Sequence, residues 1–142
     1  MKHLQLFFVA CIVMLVSFTS CTKDNDNPSA NHLSNLVQQG KWKITSFTED
    51  ANDETFHFTG YEFAFNANGS VSATKENTTI NGTWATGTDD SRAKLILNFG
   101  TTLPFDELNE DWRVLEKTST SLKLEHVSGG NGGTDHLEFQ KI

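Results

Sequence analysis

The stretch Tyr61-Glu62-Phe63-Ala64-Phe65-Asn66-Ala67-Asn68-Gly69-Ser70-Val71-Ser72-Ala73 decides the fold. Tyr61, Phe63 and Phe65 recur at every second residue with Glu62 and Asn66 on the other face, the period of a strand with one apolar side. Asn66-Ala67-Asn68-Gly69 is a turn signal, because asparagine and glycine accept the backbone angles that a reversal needs. Val71 and Ala73 then resume the alternation on the returning strand. Two strands of this kind cannot bury their apolar faces alone, so more strands must complete a core.

The rest of the chain supplies them. Trp42 and Ile44 share a face, with Lys41, Lys43 and Thr45 on the other. Asn81-Gly82 marks a tight position, and Trp84 lies in a strand over about 82–86. Ala93, Leu95, Leu97 and Phe99 alternate while Ile96 faces outward. Trp112 with Val114, Leu122 with Leu124, and Leu137 with Phe139 give three further strands. Short gaps between neighbours imply antiparallel pairing, since a parallel crossover needs a dozen or more residues. The class is all-β, with eight strands closing on one core as a barrel or stacking as a sandwich. Two segments depart from period two. Leu33-Ser34-Asn35-Leu36-Val37-Gln38-Gln39-Gly40 spaces its apolar residues as a short helical turn ended by glycine. Residues 102–111 place Leu103, Phe105 and Leu108 around Pro104, which predicts a short helical insertion near 103–110 laid across an opening of the sheet.

The N-terminus reads differently. Lys2 precedes 11 apolar residues from Leu6 to Val16, a charged n-region and a short h-region. A helix of that length covers roughly half of a ~30 Å hydrocarbon core, so the segment is expected to direct export. Ser17-Phe18-Thr19-Ser20-Cys21, followed at once by polar residues, resembles the lipobox of bacterial lipoproteins. The resemblance implies that residues 1–20 are a signal peptide and that Cys21 carries lipid anchoring the chain in the outer membrane, on its periplasmic or surface side. Residues 21–31 are too polar for a core and read as a flexible tether. Their acidic stretch is similar to the one that follows the lipidated cysteine in Bacteroidetes lipoproteins. Cys11 leaves with the signal, so the domain over 32–142 is expected to fold without a disulfide.

Loss of Lys2 would leave 10 Lys and Arg against 18 Asp and Glu, a formal net charge of −8. With no basic cluster and no long amphipathic helix, such a surface repels phosphate backbones and argues against nucleic acid as a partner.

Gly40-Lys41-Trp42, directly after the helical turn and opening the first strand, resembles the G-x-W element of lipocalins. Tyr61 to Gly69, Gly82-Thr83-Trp84 and Leu108-Asn109-Glu110-Asp111-Trp112 extend the likeness to the lipocalin-like domain of small Bacteroidetes lipoproteins, over about residues 36–142. The resemblance implies an eight-stranded up-and-down barrel whose end is closed by Trp42. In lipocalins an arginine late in the chain stacks on this tryptophan; here the last strand carries Lys141.

Catalysis needs a nucleophile with a base, paired carboxylates in a cleft or a metal cage, and no such motif occurs. His32, His57, His126 and His136 are not spaced as local ligand pairs, and His126, which points the same way as Leu122 and Leu124, reads as structural. Asp50 to Glu54 and Asp89-Asp90 lack the spacing of a calcium loop and read as solvated turns. Gly129-Gly130-Asn131-Gly132-Gly133 joins two strands, without the helix that a phosphate loop requires. The chain is therefore expected to be no enzyme and to need no cofactor or metal.

Two roles fit. One is a surface scaffold or protein-interaction module held at the lipid bilayer through Cys21. The other is carriage of a small hydrophobic ligand, which Tyr61, Phe63, Phe65, Trp84, Phe105 and Trp112 would face. An eight-stranded barrel is just wide enough for its own side chains or for one small ligand, so the state of the interior separates the two.

Overall fold

The computed structural model describes residues 30–130 and 132–142. The expected signal peptide, Cys21 and the tether up to residue 29 lie outside them, as does Asn131 of the glycine-rich loop. Helix α1 spans Ala30–Val37, so Ala30 and Asn31, read from sequence as tether, begin the helix. The strands that follow are β1 (Lys41–Glu49), β2 (Asn52–Asp53), β3 (Glu62–Phe65), β4 (Ser70–Lys75), β5 (Thr78–Asp89), β6 (Arg92–Asn98), β7 (Asp111–Lys117), β8 (Ser121–Val127) and β9 (Thr134–Lys141). Two 3-10 turns, Thr55–Phe58 and Phe105–Leu108, interrupt the sequence of strands.

Every neighbouring pair is antiparallel, from β1–β3 around to β8–β9, and β9 pairs back onto β1 to close an eight-stranded barrel. The two-residue β2 stands outside this ring and pairs only with the end of β1, Thr48 opposite Asp53. The seam is long between β1 and β9 but short between β1 and β3, where only Lys41–Ala64 and Trp42–Phe63 are paired; closure of the ring limits the open edges by which a sheet sticks to other chains.

Strand direction sorts the connections into two ends. At one end lie α1, the β3–β4 turn, the β5–β6 hairpin and the β7–β8 turn. At the other lie both 3-10 turns, the β4–β5 turn and the β8–β9 loop. Helix α1 packs on β5 and β6 with Leu33 and Val37 buried. Gly40, at φ +87°, turns the chain from helix to strand, a backbone region that glycine enters without a Cβ penalty. The Trp42 indole N–H then donates to the Val37 carbonyl at 2.9 Å, which satisfies both a buried donor and a carbonyl at the helix end.

The interior matches the alternation read from sequence at Trp42, Ile44, Phe63, Phe65, Val71, Ala73, Trp84, Ala93, Leu95, Leu97, Phe99, Trp112, Val114, Leu122, Leu124, Leu137 and Phe139, all buried. It differs at three places, each for a local reason. The register of β1 against β9 shifts between Ile44 and Ser46; this bulge adds one residue, so Phe47 rather than Ser46 turns inward. Tyr61 precedes β3 and is only half-buried. Asn81-Gly82 is no turn: β5 runs straight through it, and the reversal falls at Glu76 and Asn77 instead. Gly82 is there for space, since a Cβ would lie 2.6 Å from the Asn98 carbonyl oxygen and 2.7 Å from Phe99 Cδ1.

Candidate functional site

The barrel interior is built from rings that touch edge to face. Phe63 on β3 meets Phe139 on β9 at 5.4 Å between centroids and Phe99, after β6, at 6.3 Å. The second of these contacts crosses the barrel, because β4 and β5 separate β3 from β6. Phe65 adds Trp84 at 5.6 Å and Phe139 at 6.0 Å. Edge-to-face pairs at such separations are favourable beyond the area they bury, by roughly 0.5–1.5 kcal/mol each.

At the end away from α1 the two 3-10 turns meet over the core. Phe58 packs against Phe105 at 5.4 Å and against Phe47 at 5.4 Å. Phe105 also contacts Tyr61 at 5.0 Å and Phe99 at 5.2 Å. His57 Nδ1 lies 3.1 Å from a Glu107 oxygen, a polar tie between the turns outside the aromatic layer. The insertion thus covers the barrel end as the sequence suggests, through Phe105 and Leu108, while Leu103 stays 77% exposed and Phe56 of the other turn 66%. Phe47, Phe58 and their turn were not legible as core: the bulge hides the first and a 3-10 turn has no period-two signal.

The six residues that a ligand would face all belong to, or pack against, one hydrophobic core. Phe63, Phe65, Trp84, Phe105 and Trp112 are buried and Tyr61 is half-buried beside Phe105. The Trp84 and Trp112 indole N–H groups donate to Asn66 and Leu108 carbonyls at 2.9 and 3.0 Å. Trp42 is fully buried at the α1 end. Cys21 lies outside the described residues.

Among the described residues no polar or charged residue is buried, so titratable groups gather on the rim and outer wall. On the rim, where Glu49 is exposed as a residue, partial desolvation of its carboxyl and then the neighbouring carboxylates of Glu107, Asp135, Asp50 and Glu54 hold that carboxyl above its ordinary range. On the wall, Lys94 Nζ reaches Asp111 Oδ2 at 2.5 Å and Asp89 at 2.9 Å, and Arg113 pairs with Glu125. The Lys94 hydrogen bond is the chief reason that the Asp111 carboxyl sits below its ordinary value. His126 lies beside this network, Nε2 at 3.3 Å from a Glu110 oxygen and Nδ1 at 3.5 Å from Asp111 Oδ1. Sequence reasoning placed His126 on the inward face and missed its two carboxylates. The register brings them together: with Arg113 opposite Glu125, His126 comes level with Trp112, which Glu110-Asp111 precede.

Surface grooves among the described residues accompany these features. One of about 400 Å³ runs between α1 and the β7–β8 turn, lined in part by Leu36, Gln39 and Lys117. One of about 360 Å³ lies where β1 and the segment before β3 diverge, beside Ile44 and Tyr61. A third, about 150 Å³, opens on Lys94, Asp111, Arg113 and His126.

No family model and no curated protein matches the sequence. The fold itself is similar to the crystal structure of a DUF4847 family protein from Bacteroides vulgatus ATCC 8482, with a TM-score of 0.50 and 17% identity over 78% of this chain and 97% of that one, a likeness of β-barrel architecture alone.

Proposed function

We propose that this chain is a membrane-anchored lipoprotein, cleaved before Cys21 and acylated there, whose lipocalin-like barrel serves as a non-catalytic scaffold or interaction module rather than as a carrier. The observation that carries the reading is the contact of Phe63 with Phe99 and Phe139 across the interior. Side chains that meet in the middle of an eight-stranded barrel occupy the space a ligand would need. A domain of this size without a disulfide depends on that burial for its stability. At the end opposite α1, Phe56 of the first 3-10 turn and Leu103, just before the second, are exposed, apolar side chains suited to contact with another protein.

Two measurements test the two halves. Intact mass of the protein from a membrane fraction should show an acylated N-terminal cysteine, and an unmodified chain beginning elsewhere would remove the anchor. Titration with fatty acids, retinoids and haem, followed by tryptophan fluorescence and calorimetry, should show no saturable binding. One-to-one binding tighter than about 1 μM, equivalent to roughly −8 kcal/mol, would replace the scaffold with a carrier.

A further inference from the structure

We propose that Glu110, Asp111 and His126 form a binding site for a borderline divalent metal ion of the Zn²⁺ class. Among the described residues they are the one set of three in which a ligand atom from each lies within 4.8 Å of the others. The imidazole is held in place: its side chain is 16% exposed and its ring packs edge-on against Trp112 at 6.2 Å between centroids.

A neutral imidazole carries one N–H, so it donates to one carboxylate and turns a lone pair toward the other. His126 has carboxylate oxygens at both nitrogens, at 3.3 and 3.5 Å. A metal ion takes only one ring nitrogen; a nitrogen of His126 and one oxygen from each of Glu110 and Asp111 lie within 4.8 Å of one another, close enough to share an ion. Metal–nitrogen and metal–oxygen bonds of about 2.0–2.2 Å span separations of this size with a small swing of Glu110, which is 41% exposed and free to make it. Lys94 holds Asp111 Oδ2, and the other oxygen faces His126 Nδ1. Outer partners of this kind fix ligand geometry in metal sites.

The neighbouring cations do not cancel the field. Lys94 and Arg113 are each matched by carboxylates, Asp89 with Asp111 and Glu125 respectively, and Glu110 stands in excess. The 150 Å³ groove beside His126 gives an ion and its remaining waters a way in. One imidazole with two carboxylates suits Zn²⁺, Ni²⁺ or Co²⁺ over the all-oxygen sites that Ca²⁺ and Mg²⁺ prefer.

The test is calorimetric titration of the purified protein with Zn²⁺ alone, with Ca²⁺ as the comparison. One ion per chain should bind, with Ca²⁺ at least about tenfold weaker. Glu110→Gln and His126→Ala should each weaken Zn²⁺ at least about tenfold, the scale on which even outer partners matter, while His57→Ala should change nothing. A second reading needs no variant: Ni²⁺ should broaden the Trp112 indole N–H resonance before those of Trp42 and Trp84. Absence of one-to-one binding up to about 1 mM, which is roughly −4 kcal/mol, overturns the site. So does binding that survives Glu110→Gln, or broadening that begins at another tryptophan.

Discussion

Trp42 and Lys141 are direct partners across the seam that closes the barrel, and the lysine ammonium lies 5.6 Å from the centroid of the indole ring. The first and last strands are thus joined by backbone pairing and by a cation over an aromatic face. A lysine here brings a point charge over the ring without the planar stacking that an arginine would offer.

Truncating this tryptophan should be costly. Trp42→Ala removes a fully buried ring and an indole hydrogen bond to Val37, and the expected loss is about 3–5 kcal/mol in denaturant unfolding. Lys141→Ala should cost no more than about 1 kcal/mol. A loss below about 1 kcal/mol for Trp42→Ala would mean that the ring does not plug this end.

How far the sequence carries is visible in these same residues. Phe63, Phe65, Leu95 and Leu97 were legible because uninterrupted strands keep side chains strictly alternate. Phe47 was not, since a bulge moves it out of phase, and Phe58 was not, since its 3-10 turn obeys neither strand nor helix period. Glu110, Asp111 and His126 are brought together by register between β7 and β8. Nothing local to any of the three announces that meeting.

Gly82 offers a test of close approach within a strand. Gly82→Ala would press a methyl group against the Asn98 carbonyl and the Phe99 ring, and should cost about 1–3 kcal/mol as overpacking. Gly87→Ala, in the same strand with only Ile96 Cδ1 at 3.9 Å, should be close to neutral. Equal effects at the two sites would refute the steric account of Gly82.

The two 3-10 turns should behave as one unit. A double-mutant cycle with Phe58→Leu and Phe105→Leu is expected to give a coupling of about 0.5–1.5 kcal/mol for their edge-to-face contact. Simple additivity, within about 0.3 kcal/mol, would show that the turns cover the barrel end independently.

Glu49 gives a signed pH dependence. Its folded-state carboxyl sits above the ordinary glutamate value of 4.5 because of partial desolvation and four neighbouring carboxylates. The folded chain therefore binds this proton more tightly than the unfolded one. Its ionisation lowers stability as pH rises from about 4.5 through the folded value, and the cost persists above that. Glu49→Gln should raise the urea midpoint at pH 7 and leave it nearly unchanged below pH 4. A lower midpoint for the variant at pH 7 would reverse the sign and contradict the assignment.

The central claim, an interior filled by its own rings, is tested most directly by diffraction from crystals of the protein under xenon pressure, since xenon enters dry apolar cavities and little else. The account predicts no ordered xenon within the ring formed by Phe63, Phe99 and Phe139. A well-occupied xenon site among those three side chains would contradict it and reopen the barrel as a ligand carrier.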